Sequence, residues 1–252
     1  MNNVTAAAIF CGRLCRDNGE RPFGAKEWRS LCAELNAKDT QPYELAEFTR
    51  ADLKEKLCIT GDVAERILSL SSTRERVIDL LADFESKGIF VTADGEATYP
   101  ERLIEKLGAS CPPVLYYSGS PEIAAERYAG FVGSRNAEKD DLEYARFAVA
   151  RCMEKGYGVV SGGARGVDFA CEESCLQNGG KIVSFTVGNM NKRLKESAVS
   201  KALVSGRALI FSIAPPDEGF NLGIAMMRNR YIYALSRGTV VVRSDYNKGG
   251  TW

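Results

Sequence analysis

The stretch Tyr157-Gly-Val-Val-Ser-Gly-Gly-Ala-Arg-Gly-Val-Asp168 leaves this chain few folds to choose from. A short apolar run, Tyr157 to Val160, reads as a buried strand. It breaks into Ser161, Gly162, Gly163, Ala164, Arg165 and Gly166, and a helical pattern follows from Val167 to Gln177. Strand, glycine turn and helix in that order put a helix N-terminus above the carboxyl edge of a parallel sheet. Backbone N–H groups lack partners there, so an anion fits, and glycines let it approach the main chain. Arg165 adds a charge with planar, bidentate geometry suited to phosphate. A tight turn whose glycines only relieve crowding is the alternative reading of the same residues.

From Tyr128 onward strands and helices alternate, which predicts an α/β fold with a mostly parallel sheet and helices on both faces. Strands are expected at Tyr128–Val132, Tyr157–Val160, Lys181–Val187, Ala208–Ile213 and Thr239–Val242. Helices are expected at Leu142–Lys155, Val167–Gln177, Lys192–Ser205 and Asn229–Ser236. Before this, residues 1–87 show apolar residues at three- and four-residue intervals, punctuated by Gly24, Pro42 and Gly61. They predict a small helical domain; Leu57–Ala64 has the outline of a helix-hairpin-helix turn but one glycine where such a hairpin has two, so plain helical packing is the favoured reading. Two further strands, Gly88–Thr92 and Pro113–Gly119, open the second domain, placed at residues 88–252.

The composition excludes several classes. Lys plus Arg equals Asp plus Glu at 33 each, so no strongly basic surface announces a polyanion. Residues 1–98 carry 13 basic and 17 acidic side chains, and the remainder carries 20 and 16. There is no histidine, which removes the usual neutral-pH general base and the commonest metal ligand. No catalytic residue, cofactor or metal is expected. The eight cysteines form no C-x-x-C pair. Cys11/Cys15 and Cys171/Cys175 fall four apart on expected helices and read as small buried residues of a reducing cytosol. No secretory signal and no membrane-length apolar run is present, so the expected location is cytoplasmic.

Gly133-Ser134-Arg135, after the Tyr128–Val132 strand, repeats the chemistry of the Ser161–Gly166 turn: a small residue, a hydroxyl and one arginine. Neighbouring βα turns of such a sheet share one edge, so both would face one crevice. Arg228-Asn229-Arg230 is the third basic element. Asn229 reads as the cap of the helix carrying Tyr231, Ile232 and Leu235, which would set both arginines on the same edge. The candidate DNA- or phosphate-binding set is thus Gly133, Ser134, Arg135, Ser161, Gly162, Gly163, Arg165, Gly166, Arg228, Asn229 and Arg230. Asp168 reads as a brace for its turn through a backbone N–H. Lys192, Arg193 and Lys195 read as a solvated face. Tyr157, Phe169 and Tyr231 are potential base-stacking groups but read as core.

At these residues the chain resembles the DNA-processing protein A family (DprA, also called Smf). The resemblance rests on Tyr99-Pro-x-x-Leu103, Cys111-Pro-Pro-Val-Leu-Tyr-Tyr-Ser-Gly119, Val132-Gly-Ser-Arg135, Ser161–Asp168 and Phe220 through Arg228-Asn-Arg230 to Ser236, in that order. It implies an extended Rossmann-type domain behind a small helical domain of the SAM or helix-hairpin-helix kind. It also implies single-stranded DNA as ligand, a RecA-type recombinase as partner, a homodimer and no enzymatic activity. The chain departs from the family pattern at Glu172, where a histidine is usual, at Asn191-Lys-Arg-Leu, which lacks the usual Tyr-Pro, and at Met227. Asn247–Trp252 follows a strand where the family continues, so a chain cut short is expected.

Two other readings use the same crevice. One is a sensor for a mononucleotide. The other is an enzyme like the LOG-type phosphoribohydrolases, whose Gly-Gly-x-Gly-Thr segment is shortened here to Lys248-Gly-Gly-Thr251.

Overall fold

The computed structural model describes residues 1–14 and 19–244. The chain forms two compact units, Met1–Tyr99 with Leu107–Tyr116, and Pro100–Lys106 with the chain from Tyr117 on. Cys15 and the Asn247–Trp252 segment lie outside the described residues.

The first unit is largely helical. Helix α1 (Asn3–Cys11) is buried on consecutive residues from Ala6 to Cys11, as a helix apolar all round must be. Asn2 caps it by accepting from the Thr5 N–H at 2.9 Å. Helix α2 (Ala25–Asn36) buries Trp28, Leu31 and Leu35 at helical spacing. A 3₁₀ turn (Pro42–Glu47) leads to α3 (Arg50–Leu57), α4 (Gly61–Ser71) and α5 (Arg74–Ser86). Cys58, exposed and left-handed at φ 59°, ends α3 and departs from the expectation that the cysteines are buried. Phe10 stacks on Trp28 at 5.5 Å, with Phe23 edge-on to Phe10 at 6.4 Å. Strand β1 (Phe90–Ala93) neighbours β2 (Val114–Gly119), which begins in this unit and continues into the second.

The second unit begins with most of α6 (Glu101–Leu107) and is built on a sheet with the order β2-β6-β5-β4-β3-β7. The strands are β3 (Tyr128–Gly133), β4 (Gly158–Ser161), β5 (Ile182–Phe185), β6 (Ala208–Ser212) and β7 (Gly238–Val242). Pairs β3–β4, β4–β5, β5–β6 and β3–β7 are all parallel. Their near-continuous apolar sequences suit a sheet covered on both faces by helices. These helices are α7 (Lys139–Glu154), α8 (Val167–Gln177), α9 (Met190–Leu194), α10 (Ser197–Val204) and α11 (Leu222–Leu235). The expected α/β fold with its parallel sheet and helical N-terminal part is therefore what the chain adopts.

Two expected helices differ most from the observed ones. Lys192–Ser205 is two helices, α9 and α10, because Glu196 turns extended at ψ 127° and restarts the chain. Helix α11 begins at Leu222, with Asn221 capping it by accepting from the Ile224 N–H at 3.1 Å. Asn229 is therefore mid-helix and caps nothing.

The topology sets the site. The chain moves outward from β3 through β4, β5 and β6, then returns to the other side of β3 as β7. Strand order reverses between β3 and β7, and the crevice outside the carboxyl ends of such a pair is where open α/β sheets bind ligands. Gly133-Ser134-Arg135 leaves β3 at that reversal, and the Ser134 N–H donates to the Val242 carbonyl at 3.3 Å.

Candidate nucleic-acid interface

The two glycine turns pack directly on one another. The Val167 N–H donates to the Ser134 carbonyl at 3.3 Å. Gly166, at φ 88°, lies so close to that carbonyl that any Cβ would collide with it. Arg165 reaches across, with Nε donating to the Arg135 carbonyl at 3.3 Å and Nη2 to Asn136 Oδ1 at 2.8 Å. Ser134 Oγ accepts from the Asn136 N–H at 3.1 Å and shapes its own turn. Arg135 holds its guanidinium 5.0 Å from the centre of the Phe220 ring, a cation–π contact on a ring that is 57% exposed. Arg135 and Arg165 are both exposed, and neither guanidinium has a carboxylate partner among the described residues. The sequence expectation of neighbouring basic turns on one edge thus finds its geometry at these two arginines.

Arg228 has a different place. It is 5% exposed, and its Nη1 donates to Asp168 Oδ2 at 2.9 Å. The backbone N–H groups of Ala164 and Gly133 also favour the charged form of Asp168. Burial pushes its carboxyl above the usual carboxylate range, opposed by Arg228 and by those backbone donors. The Arg228 guanidinium lies where a side chain at position 162 would be, since a Cβ on Gly162 would overlap Nη1. The expectation that Arg228 meets a phosphate is corrected: its charge is paired inside the protein. Gly162 admits this arginine, which is why that position has no side chain.

A second buried pair lies beside the first. Arg193, also buried, donates to Glu172 and to Glu196, and Ser184 Oγ donates to Glu172 Oε1 at 2.7 Å. Its guanidinium packs over Gly163, Cζ lying 2.8 Å from where a Cβ would stand. Reading Lys192, Arg193 and Lys195 as a solvated face is therefore wrong for Arg193. The signal was present in Glu172, one helical turn after Asp168: a carboxylate on an inward face requires a cation.

The remaining candidates separate. Ser161 is fully buried, and its hydroxyl donates to the Phe131 carbonyl at 2.7 Å, which corrects its reading as a ligand donor. Asn229 is buried in α11 and hydrogen-bonds Tyr233. Arg230 is exposed on the same helix, two residues and so about 200° round from the inward-facing Arg228. Tyr231 is core, 5.7 Å from Phe185, as expected. Phe169 is 44% exposed on α8 and is not core. Tyr157 lies under the Arg127 guanidinium at 4.3 Å.

The profile of the family described as DNA recombination-mediator protein A matches residues 90–252. The chain belongs to that family. It is 28% identical over 158 residues to the DNA processing protein DprA of Streptococcus pneumoniae, an alignment covering 60% of this chain and 53% of that protein. With protein Smf of Synechocystis it shares 28% over 171 residues, or 64% of this chain and 41% of the relative. The chain therefore aligns with about half the length of these relatives, or less. Among solved structures it is similar to S. pneumoniae DprA, with a TM-score of 0.58 at 21% identity over 90% of this chain and 81% of that one. It is also similar to DprA of Helicobacter pylori, with a TM-score of 0.53 at 20% identity over 65% and 72%; that structure is described for its single-stranded DNA binding mode. These two likenesses establish a shared fold. Among the described residues no helix is long and apolar enough to cross a membrane.

In this chain the buried Ser161 gives a clean separation of scaffold from surface. Ser161→Ala removes one buried hydroxyl-to-carbonyl bond and is expected to cost about 1 kcal/mol of stability. Its retention of a labelled oligonucleotide probe should be that of the parent. Chemical denaturation and fluorescence anisotropy on the same preparation measure both, and weakened binding at unchanged stability would return Ser161 to the interface.

Proposed function

We propose that this chain binds single-stranded DNA along the carboxyl edge of its sheet, and that it does so as a homodimer that passes the strand to a RecA-type recombinase. The observation that carries the reading is the pair Arg135 and Arg165. They are exposed, lie on adjacent turns at the strand-order reversal, and have no carboxylate partner among the described residues. Phe220 beside Arg135 adds a flat apolar surface of the kind on which bases stack. Ser134 and the backbone of Gly133 and Gly166 belong to the same two packed turns. Membership in a recombination-mediator family supports the DNA-processing role.

The test is a competition titration against a labelled single strand. Unlabelled single strand should displace it, duplex should compete weakly, and AMP should not compete. Affinity should fall steeply with salt, at a log–log slope of about −0.7 for each phosphate neutralised. Displacement by AMP at oligonucleotide-like concentrations would replace this reading with the nucleotide sensor. Release of adenine from AMP would replace it with the phosphoribohydrolase, whose Lys248–Thr251 segment lies outside the described residues.

A further inference from the structure

The helical first unit holds a cavity of about 230 Å³, remote in kind from the phosphate chemistry above. Arg29 and Asp94 supply its charge; Trp28, Pro42 and Ala93 give it apolar walls, and Cys32 contributes a thiol. Arg29 Nη1 contacts Asp94 Oδ2 at 2.6 Å. The other edge of that guanidinium is not engaged: Nε and Nη2 are buried and have no hydrogen-bond partner among the described residues. These two N–H groups are parallel donors, the fork that takes the two oxygens of one carboxylate. Two buried charged donors on one side chain call for a partner.

We propose that this cavity is a binding site for a small monocarboxylate, its carboxylate in the Arg29 Nε/Nη2 fork and its apolar body against Trp28, Pro42 and Ala93. The chemistry selects that class against its neighbours. A phosphate dianion would set two negative charges against Asp94, which already shares the arginine. An amine would face the donors of Arg29. Burial and the nearby Asp94 hold the Cys32 thiol up at about 11, so it stays neutral and does not repel a carboxylate. The volume is below that of a typical drug-sized pocket, which limits the ligand to a compact molecule.

The test uses the full chain with benzoate, benzamide and inorganic phosphate as probes. Benzamide has the shape of benzoate without its charge. Saturable binding is read by ligand-observed NMR and by the Trp28 indole resonance, assigned with Trp252→Phe. Benzoate should shift Trp28 saturably at millimolar concentration or below, whereas benzamide and phosphate should not. Arg29→Lys keeps the charge but loses the fork, and should weaken benzoate at least about tenfold. Equal shifts from benzamide or phosphate, no saturable response to benzoate, or unchanged affinity in a folded Arg29→Lys would each overturn the proposal. If Arg29→Lys does not fold, the three-probe comparison on the parent protein still decides it.

Discussion

Gly162→Ala is expected to destabilise the sheet unit by about 3–5 kcal/mol, the cost of breaking a buried ion pair from one side. The added Cβ would overlap Arg228 Nη1. A flexible arginine tip on the surface would swing away at little cost. Arg228 is enclosed, and moving it leaves Asp168 charged, buried and without its cation. In a unit of this size such a loss lowers the melting midpoint by about 10 °C. Because the Arg228 guanidinium packs directly on the Gly162 turn, displacing it should loosen that turn, visible as faster amide exchange there. Asp168→Asn in the same chain removes the stranded charge, so the double variant should cost less than the sum of the two single ones. A Gly162→Ala protein that melts with the parent would show that Arg228 is not fixed on this turn.

Replacing both Arg135 and Arg165 with alanine should reduce affinity for single-stranded DNA by about 100-fold. A charge-assisted hydrogen bond contributes about 1.5–3 kcal/mol, so each arginine corresponds to roughly tenfold or more. Each replacement should also make the salt dependence shallower by about 0.7 in log–log slope. The two are coupled through structure, since Arg165 donates to the Arg135 carbonyl and to Asn136. Arg165→Ala is therefore expected to weaken part of the Arg135 contribution as well, and the pair should not add simply. Arg165→Lys keeps the charge without the planar fork and should fall between parent and alanine. Anisotropy titrations at several salt concentrations measure all of this. Parent-like affinity in the double variant would remove the proposed interface while leaving the fold and family untouched.

Much of the architecture was legible because its signals are local. Apolar runs of four to six residues, each closed by glycine or a polar turn, have few readings other than buried strands. Their alternation with helices implies a parallel sheet. The start of α11 was hidden for a physical reason. Leu222-Gly-Ile-Ala-Met-Met227 has no polar face, so it shows no helical period, and its cap Asn221 is easily taken for loop. Arg228 and Asn229 compounded the error by looking solvent-facing while both are buried.

By itself, the amino-acid sequence determined that a glycine turn follows each of two neighbouring strands and that each turn carries an arginine. That needs only short-range stereochemistry: a strand must end, a helix must begin, and glycine permits the corner between them. Which arginine faces water was decided by packing across long stretches of chain. Arg228 is 60 residues from Asp168, and Arg193 is 21 from Glu172. Only the folded sheet brings those charges together in a space closed to water, where an acid must find a cation. Arg135 and Arg165 are exposed, and no such acid reaches them among the described residues.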